Sequence, residues 1–337
     1  MPDFASYGDI PLTSLVAVHE QRCAFGRTVG AYRIFGASVA GQDHVRRGLP
    51  RDDAFVVGTC GPWIAVGICD GLGSRPLSRF GASCVAESLV RRLLQTTTGA
   101  EAIAAAKTPS VGGTCNGRRF LRRSRELLQA SRAICRFNLV GVRHLVCATA
   151  APSELHISMK QSFAQAKEDL LSHAKNLGAS VEELGCTALA ILLNMQTGQA
   201  VAGQIGDGAV LQLSSDDSLN EVVDTPETDD PQATFVIGTA TVESALRVVS
   251  FCVSPGEKNA AIFVMTDGLS HDLLFTGRRD QAATWAKSVN RLLSEANDLS
   301  QATNGMLIWL DDYRKPGNRD DRTLVVITCG NDGDNHR

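Results

Sequence analysis

The chain has 337 residues, of which 44% are apolar and 20% are charged, so it is long enough to bury a full hydrophobic core in one large domain or two smaller ones. Its formal net charge is −3, which provides no overall positive field to attract nucleic acid or an anionic membrane. The N-terminal segment MPDFASYGDIPLTSLV lacks a basic region followed by an apolar one, and no window reaches the roughly 18 apolar residues of a membrane span. We therefore expect a cytoplasmic globular protein with no nucleic-acid or membrane partner.

Ten cysteines are scattered along the chain. Several lie inside apolar runs, namely Cys69, Cys186, Cys252 and Cys329, and the sequence contains no CxxC pair or His/Cys cluster with zinc-ligand spacing. This pattern predicts buried free thiols in a reducing compartment.

Short apolar runs of β-type composition predict strands in two regions of the chain, and helical periodicity fills the space between them. In chain order, the predicted strands are 31–41, 53–60, 63–70, 185–194, 199–207, 209–214, 233–238, 246–254, 260–267 and 322–330. The predicted helices are 78–95, two stretches around 117–137 and 153–178, and a pair within 280–310. An acidic loop is predicted at 214–232. Strands grouped in this way, without regular βαβ alternation, favour an α+β fold with sheets packed face to face and helices outside.

Aspartates recur where apolar strands meet tight turns. Three blocks place an aspartate before glycine after an apolar run, and two place a pair of acids immediately before a strand; they are CDGLGS (69–74), IGDGAV (205–210), MTDGLS (265–270), NRDDRTLVVI (318–327) and RDDAFVVG (51–58). A single Asp-Gly is a common turn dipeptide. Several carboxylates gathered at strand ends would repel one another unless a cation neutralised them. An all-oxygen acidic cluster suits Mg²⁺ or Mn²⁺.

With these five blocks in this order, the sequence resembles the metal-dependent protein phosphatases of type 2C, in particular a bacterial-type branch. The resemblance runs from about Phe35 to Thr328. It implies two packed antiparallel sheets flanked by helices, and two or three Mg²⁺ or Mn²⁺ ions with a bridging water that hydrolyses phosphoserine or phosphothreonine directly. It also implies a phosphorylated protein substrate and a Ser/Thr kinase, or its targets, as partners. The corresponding division is an N-terminal extension (1–30), a catalytic domain (31–330) and a tail (331–337).

Carried over position by position, the resemblance implies that Asp70 bridges both metals, that the Gly71 carbonyl binds one of them, and that Asp267 and Asp320 hold the other. A weaker third site would involve Asp207. The full set of implied metal-site residues is Asp52, Asp53, Asp70, Gly71, Asp207, Asp267 and Asp320.

The sequence departs from the family at several positions. Many relatives have glutamate or glutamine where Asp52 stands, and Leu72 replaces the histidine that acts as general acid in eukaryotic members. Arg47 and Arg51 straddle the position of the phosphate-binding arginine, and Arg47 is the preferred candidate. His44 either contacts phosphate or shuttles a proton, or is a structural hydrogen-bonded histidine. The candidate catalytic residues are thus Asp70, Arg47 and His44.

Two alternatives stay open, and a third, cysteine-based chemistry, is rejected. A catalytically weak or inactive relative would bind phosphoproteins or regulate a kinase. Cys69 and Arg75 have the C-x5-R spacing of cysteine-based phosphatases, but Asp70 directly after the thiol opposes thiolate formation. The arginine-rich stretch 117–136 is either a solvated helix covering a sheet edge or a docking surface for acidic or phosphorylated partners.

Overall fold

The computed structural model describes residues 21–106, 152–223, 236–239, 241–257, 259–274, 279–313 and 318–330, and it describes the side chains of these except 98–106, 152–153 and 279. The arginine-rich stretch 117–136 and the predicted helix around 117–137 lie outside the described residues.

Six of the described strands form one antiparallel sheet in the order β1-β2-β11-β10-β7-β8. They are β1 (Arg22–Val29), β2 (Tyr32–Val39), β7 (Ala209–Leu213), β8 (Leu219–Glu221), β10 (Ala261–Met265) and β11 (Arg322–Cys329). The other five form a second antiparallel sheet in the order β3-β4-β5-β6-β9. They are β3 (Ala54–Cys60), β4 (Trp63–Cys69), β5 (Ala188–Asn194), β6 (Gln199–Ile205) and β9 (Arg247–Cys252).

Helices cover both outer faces of the paired sheets. The described helices are α1 (Gln42–Arg46), α2 (Ser78–Ala106), α3 (Pro152–Leu177), α4 (Val242–Ala245), α5 (Asp267–Leu274), α6 (Arg279–Ser294) and α7 (Leu299–Asp312), with a 3₁₀ turn at Val181–Leu184. The helix α7 begins at an N-cap, Asp298, whose side chain accepts hydrogen bonds from the backbone amides of Ser300 and Gln301, and this satisfies two of the amides that a helix start leaves unpaired.

Three apolar clusters show the layers of the sandwich. One lies between the five-stranded sheet and α2 and α3, and includes Leu89 and Phe163. A second lies between the two sheets and includes Val66 and Val264. A third lies between the six-stranded sheet and α6 and α7, and includes Phe263. The predicted α+β fold of two packed antiparallel sheets flanked by helices is therefore confirmed.

The structure corrects several predicted elements. Of the predicted strand 233–238, the structure describes residues 236–238. The prediction is wrong there, because residues 237–239 form a turn. Ile237 is fully buried there, so its apolar character reflects packing and not strand formation. The strands β1 and β8 and the helices α1, α4 and α5 were not predicted, and β8 lies inside the predicted acidic loop 214–232. The first strand begins at Arg22, before residue 31, and the predicted domain bounds stay a prediction. Within the described residues, no helix is long and apolar enough to span a membrane.

Candidate metal centre

The antiparallel pairing brings the aspartate motifs to one end of the sandwich. The last residue of β4, Cys69, pairs with the first residue of β3, Ala54, so the turn at Asp70 lies beside the start of β3. In the other sheet, Met265 at the end of β10 pairs with Leu324 near the start of β11 and with Ala209 at the start of β7. Strand ends that are far apart in the sequence therefore share one edge of the molecule.

Asp70 lies where several carboxylates face one another. Burial raises its pKa well above the usual range, and the charges of Asp53, Asp267 and Asp320 raise it further. Its backbone amide donates a hydrogen bond to the Thr187 hydroxyl at 3.1 Å, which fixes the end of β4 against the start of β5. Like charges at this separation disfavour ionisation unless a cation compensates them.

Asp53 is anchored through one oxygen only. Its Oδ2 accepts hydrogen bonds from the hydroxyls of Thr266 at 2.9 Å and Thr323 at 2.6 Å. The pKa of Asp53 is raised, first by burial and then by the charge of Asp321. Among the described residues, its buried Oδ1 has no hydrogen-bond partner, and neither does Oδ1 of Asp267.

Burial raises the pKa of Asp320 to about 6, with further contributions from the charges of Asp267 and Asp321. The centre thus combines mutually repelling carboxylates with buried oxygens that lack a protein donor. Carboxylate and carbonyl oxygens are the ligands that Mg²⁺ and Mn²⁺ prefer, and an uncompensated buried oxygen costs free energy unless something binds it. The residues present therefore fit a divalent cation.

Gly71 has no room for a side chain. A Cβ at this position would lie 2.8 Å from the Asp52 carbonyl oxygen and 2.9 Å from the Ser78 carbonyl carbon, both closer than real contacts allow. The backbone at Gly71 is also held by an isolated bridge to Cys186. The glycine after Asp70 therefore allows the loop to run close against the start of β3.

Asp321 has a structural role that the sequence analysis did not assign. Its carboxylate accepts hydrogen bonds from the backbone amides of Gly41 at 2.6 Å, Asp52 at 2.5 Å and Asp53 at 3.3 Å. It is 2% exposed. Asp321 thus ties the acid pair before β3 to the loop before β11. The pair of adjacent acids was visible in the sequence, but the sequence could not show which one binds backbone.

His44 lies between two carboxylates. Its Nδ1 is 2.7 Å from Asp321 Oδ1, and its Nε2 is 3.4 Å from Asp52 Oδ2. These hydrogen bonds raise the pKa of His44 to about 10, with the bond to Asp321 as the larger cause. Both ring nitrogens face acids, and this favours the structural alternative for His44 over phosphate contact or proton transfer, although the residue also lines the cavity next to the centre.

Asp207, Asp267 and His271 form a second group of donors. One ligand atom from each lies within 4.8 Å of the others. Asp207 and Asp267 were expected together, but His271 was missed. The signal was present, because residues 267 and 271 are four apart and α5 brings such positions to the same face.

An open cavity of about 610 Å³ adjoins the centre, and Arg47, His271, Asp267, Arg319 and Asp320 are among the residues that line it. Arg51, in contrast, is 2% exposed and does not line it. Of the two arginines that straddle the expected phosphate-binding position, only Arg47 therefore faces the cavity. Arg319, immediately before Asp320, is a further cation that lines the cavity, and its Nη1 lies 3.8 Å from Asp43 Oδ1; it was missed from the sequence.

Cys69 is fully buried. Burial raises the pKa of its thiol well above the usual range, and contact with Cys186 raises it further. A nucleophilic thiol needs the opposite shift, so the structure supports the rejection of cysteine-based chemistry at the Cys69–Arg75 loop.

Comparison with known proteins adds findings that do not depend on this geometry. The sequence matches the family described as Protein phosphatase 2C over residues 40–310. No curated protein matches it significantly. Among solved structures, one similar fold is a bacterial serine phosphatase, with 13% identity, a TM-score of 0.50, and coverage of 93% of this chain and 99% of that one.

Two further solved structures are similar to this chain. The serine/threonine phosphatase of S. agalactiae has 13% identity and a TM-score of 0.49, covering 88% of this chain and 99% of that one. PppA, a regulatory component of the type VI secretion system in Pseudomonas aeruginosa, has 16% identity and a TM-score of 0.48, covering 91% and 99%. At such identities, structural similarity concerns the fold alone.

Proposed function

Because the chain belongs to the Protein phosphatase 2C family, we propose that it is a metal-dependent phosphatase that hydrolyses phosphoserine and phosphothreonine in proteins. The observation that carries this proposal is the convergence of Asp53, Asp70, Asp267 and Asp320 at one end of the sandwich, beside an open cavity.

Different residues are proposed for holding the cations and for positioning the water bound to them. Asp70, the Gly71 carbonyl, Asp267 and Asp320 would hold divalent cations, and Asp53 would act on their bound waters through its unpartnered oxygen. When bound, such cations activate a water molecule and neutralise charge on the phosphoryl group. These are roles that hydrolysis of a phosphate ester requires, because its catalysis rests on positioning and on charge compensation.

Substrate binding is proposed for two arginines that line the cavity. Arg47 and Arg319 line it, and an arginine can hold two phosphate oxygens at once. Leu72 stands where eukaryotic relatives carry a histidine, and His44 is held by Asp52 and Asp321. The proton for the leaving group therefore comes from solvent water in this proposal.

The group of Asp207, Asp267 and His271 is proposed as the weaker third cation site. An imidazole ligand favours Mn²⁺ over Mg²⁺, because affinity for nitrogen donors rises along the divalent transition metals and Mg²⁺ prefers oxygen. We therefore propose Mn²⁺ as the preferred ion at this third position.

A second function stays open for a specific reason. Asp52, an expected metal ligand, lies 3.2 Å from Arg79 Nε and 3.4 Å from His44 Nε2. If these contacts prevented metal binding, the protein would instead act as a phosphoprotein-binding module or as a regulator of a kinase.

Hydrolysis of p-nitrophenyl phosphate and of a phosphothreonine peptide distinguishes the two functions. We expect turnover with Mn²⁺ or Mg²⁺, loss of turnover with EDTA, and less recovery with Ca²⁺, which prefers larger coordination shells. Full turnover in chelator would contradict the metal-dependent proposal. Tight binding of the phosphopeptide without turnover would favour the regulatory alternative. A partner kinase and a cytoplasmic location belong to this proposal as well.

A further inference from the structure

Arg79 lies at the start of α2, directly after the loop that follows Asp70. Its Nε is 3.2 Å from Asp52 Oδ1, and the two side chains are 17% and 6% exposed. The contact is an ion pair without hydrogen-bond geometry, since among the described residues neither Arg79 Nε nor Asp52 Oδ1 has a hydrogen-bond partner. The guanidinium and the carboxylate are thus held together by charge.

This pairing separates Asp52 from the other acids of the centre. The carboxylate of Asp70 faces Asp53, Asp267 and Asp320, three carboxylates whose charges repel its own. Asp52, in contrast, already has a permanent cation beside it, because a guanidinium stays protonated in proteins. The acidic cluster therefore contains carboxylates that need an added cation and one that does not.

The backbone of Asp52 contacts the loop at Gly71, next to Asp70. The Asp52 carbonyl oxygen would lie 2.8 Å from a Cβ at Gly71, so the two backbones are in contact. Asp52 also directly precedes Asp53 in the chain, so Arg79, which is paired with Asp52, places a positive charge beside the acids that would hold a cation. Like charges at such distances oppose each other strongly when partly buried.

We infer that Arg79 competes with a divalent cation for Asp52, so that Asp52 adds little to metal affinity and the cation that Asp70 and the Gly71 carbonyl would hold binds less tightly than it would without Arg79. The inference rests on the proposed metal centre. Arg79 acts on this site through Asp52, and it is a positioning residue that lowers occupancy of one cation site.

The test is calorimetric titration of the full chain with Mn²⁺ alone, so that it does not depend on turnover. We expect Arg79→Gln to tighten one Mn²⁺ site by about tenfold or more, by analogy with the effect of one nearby charge on a partly buried carboxylate. Arg79→Lys keeps the positive charge and should stay near wild-type affinity. Arg75→Gln makes the same change at an exposed position of the loop that precedes α2, and it should leave Mn²⁺ affinity unchanged.

Asp52→Asn and Arg79→Gln together form a double-mutant cycle. In the wild-type background, we expect it to change Mn²⁺ affinity by less than about twofold, whereas Asp70→Asn should abolish binding at the shared sites. In the Arg79→Gln background, Asp52→Asn should remove the whole gain. The inference is overturned if Arg79→Gln leaves affinity unchanged, or if Asp52→Asn alone weakens binding as much as Asp70→Asn does.

Melting temperatures measured in EDTA control for the effect of the substitution on folding. Arg79→Gln leaves Asp52 with one cationic neighbour fewer, so its melting temperature in EDTA should fall below that of wild type, and Mn²⁺ should raise it by more than it raises the wild type. If Arg79→Gln does not fold, Arg79→Met, which keeps the apolar stem and removes the charge, replaces it in the same comparison. If the Mn²⁺ affinities follow the expected cycle but the protein has no phosphatase activity, the proposed function is contradicted and this inference stands. Wild-type binding of no Mn²⁺ at all would contradict both.

Discussion

Replacing Gly71 by alanine tests whether the close approach at the centre is required. The added Cβ would lie 2.8 Å, 2.9 Å and 3.0 Å from the Asp52 carbonyl oxygen, the Ser78 carbonyl carbon and Ser78 Cβ. Two of these atoms are backbone, which cannot rotate away as a flexible side chain can. Inserting atoms into a well-packed site typically costs about 1–3 kcal/mol, so the loop must move or the strand end must give.

The expected result follows from these distances. For a domain of about 150–250 residues, each kcal/mol lowers the melting temperature by about 2–4 °C, and somewhat less for this longer chain, so Gly71→Ala should melt several degrees below wild type. Because the Gly71 carbonyl is a proposed ligand, Mn²⁺ affinity should fall as well. The assays are thermal unfolding in EDTA and calorimetric titration with Mn²⁺.

The matched control is Gly73→Ala in the same loop, where a Cβ would meet no atom within 4 Å. It should change melting temperature and Mn²⁺ affinity little, since surface substitutions usually stay within about 0.5 kcal/mol of wild type. If the two alanine variants behave alike in both assays, the steric argument for Gly71 is refuted.

The remaining predictions concern the mechanism, the third site and the scaffold. Cys69→Ser should keep phosphatase activity within a few fold while Asp70→Asn removes nearly all of it; a folded but inactive serine variant beside an active asparagine variant would reverse the assignment. His271→Ala should weaken only the lowest-affinity Mn²⁺ site, whereas Asp267→Asn should also remove a tight one, as titration of both would show. Asp321→Ala should destabilise the fold by about 2–5 kcal/mol in urea unfolding, because it leaves several buried amide donors unsatisfied; a loss under about 0.5 kcal/mol would contradict its structural role.

Much of the fold follows from local patterns. Runs such as 185–194 and 322–330 are apolar, of strand length and bounded by turn residues, so their conformation is set largely by short-range preferences. Local patterns also miss or misassign some elements. Exposed and half-buried residues alternate along β1, but its composition, RCAFGRTV, has few strand formers. The apolar segment around Ile237 is buried in a turn, because burial and extended conformation are separate properties.

The sequence by itself determined that aspartates form most of the centre, since an aspartate at the end of an apolar strand and before glycine is a local pattern. Only the tertiary structure decided what each acid contacts. Asp321 binds amides some 270–280 residues earlier in the chain, and Arg79 pairs with Asp52 although the strands β3 and β4 lie between them in the chain. Such contacts depend on how two sheets and their loops pack, and hydrogen bonds and ion pairs act over a few ångströms in space regardless of sequence separation.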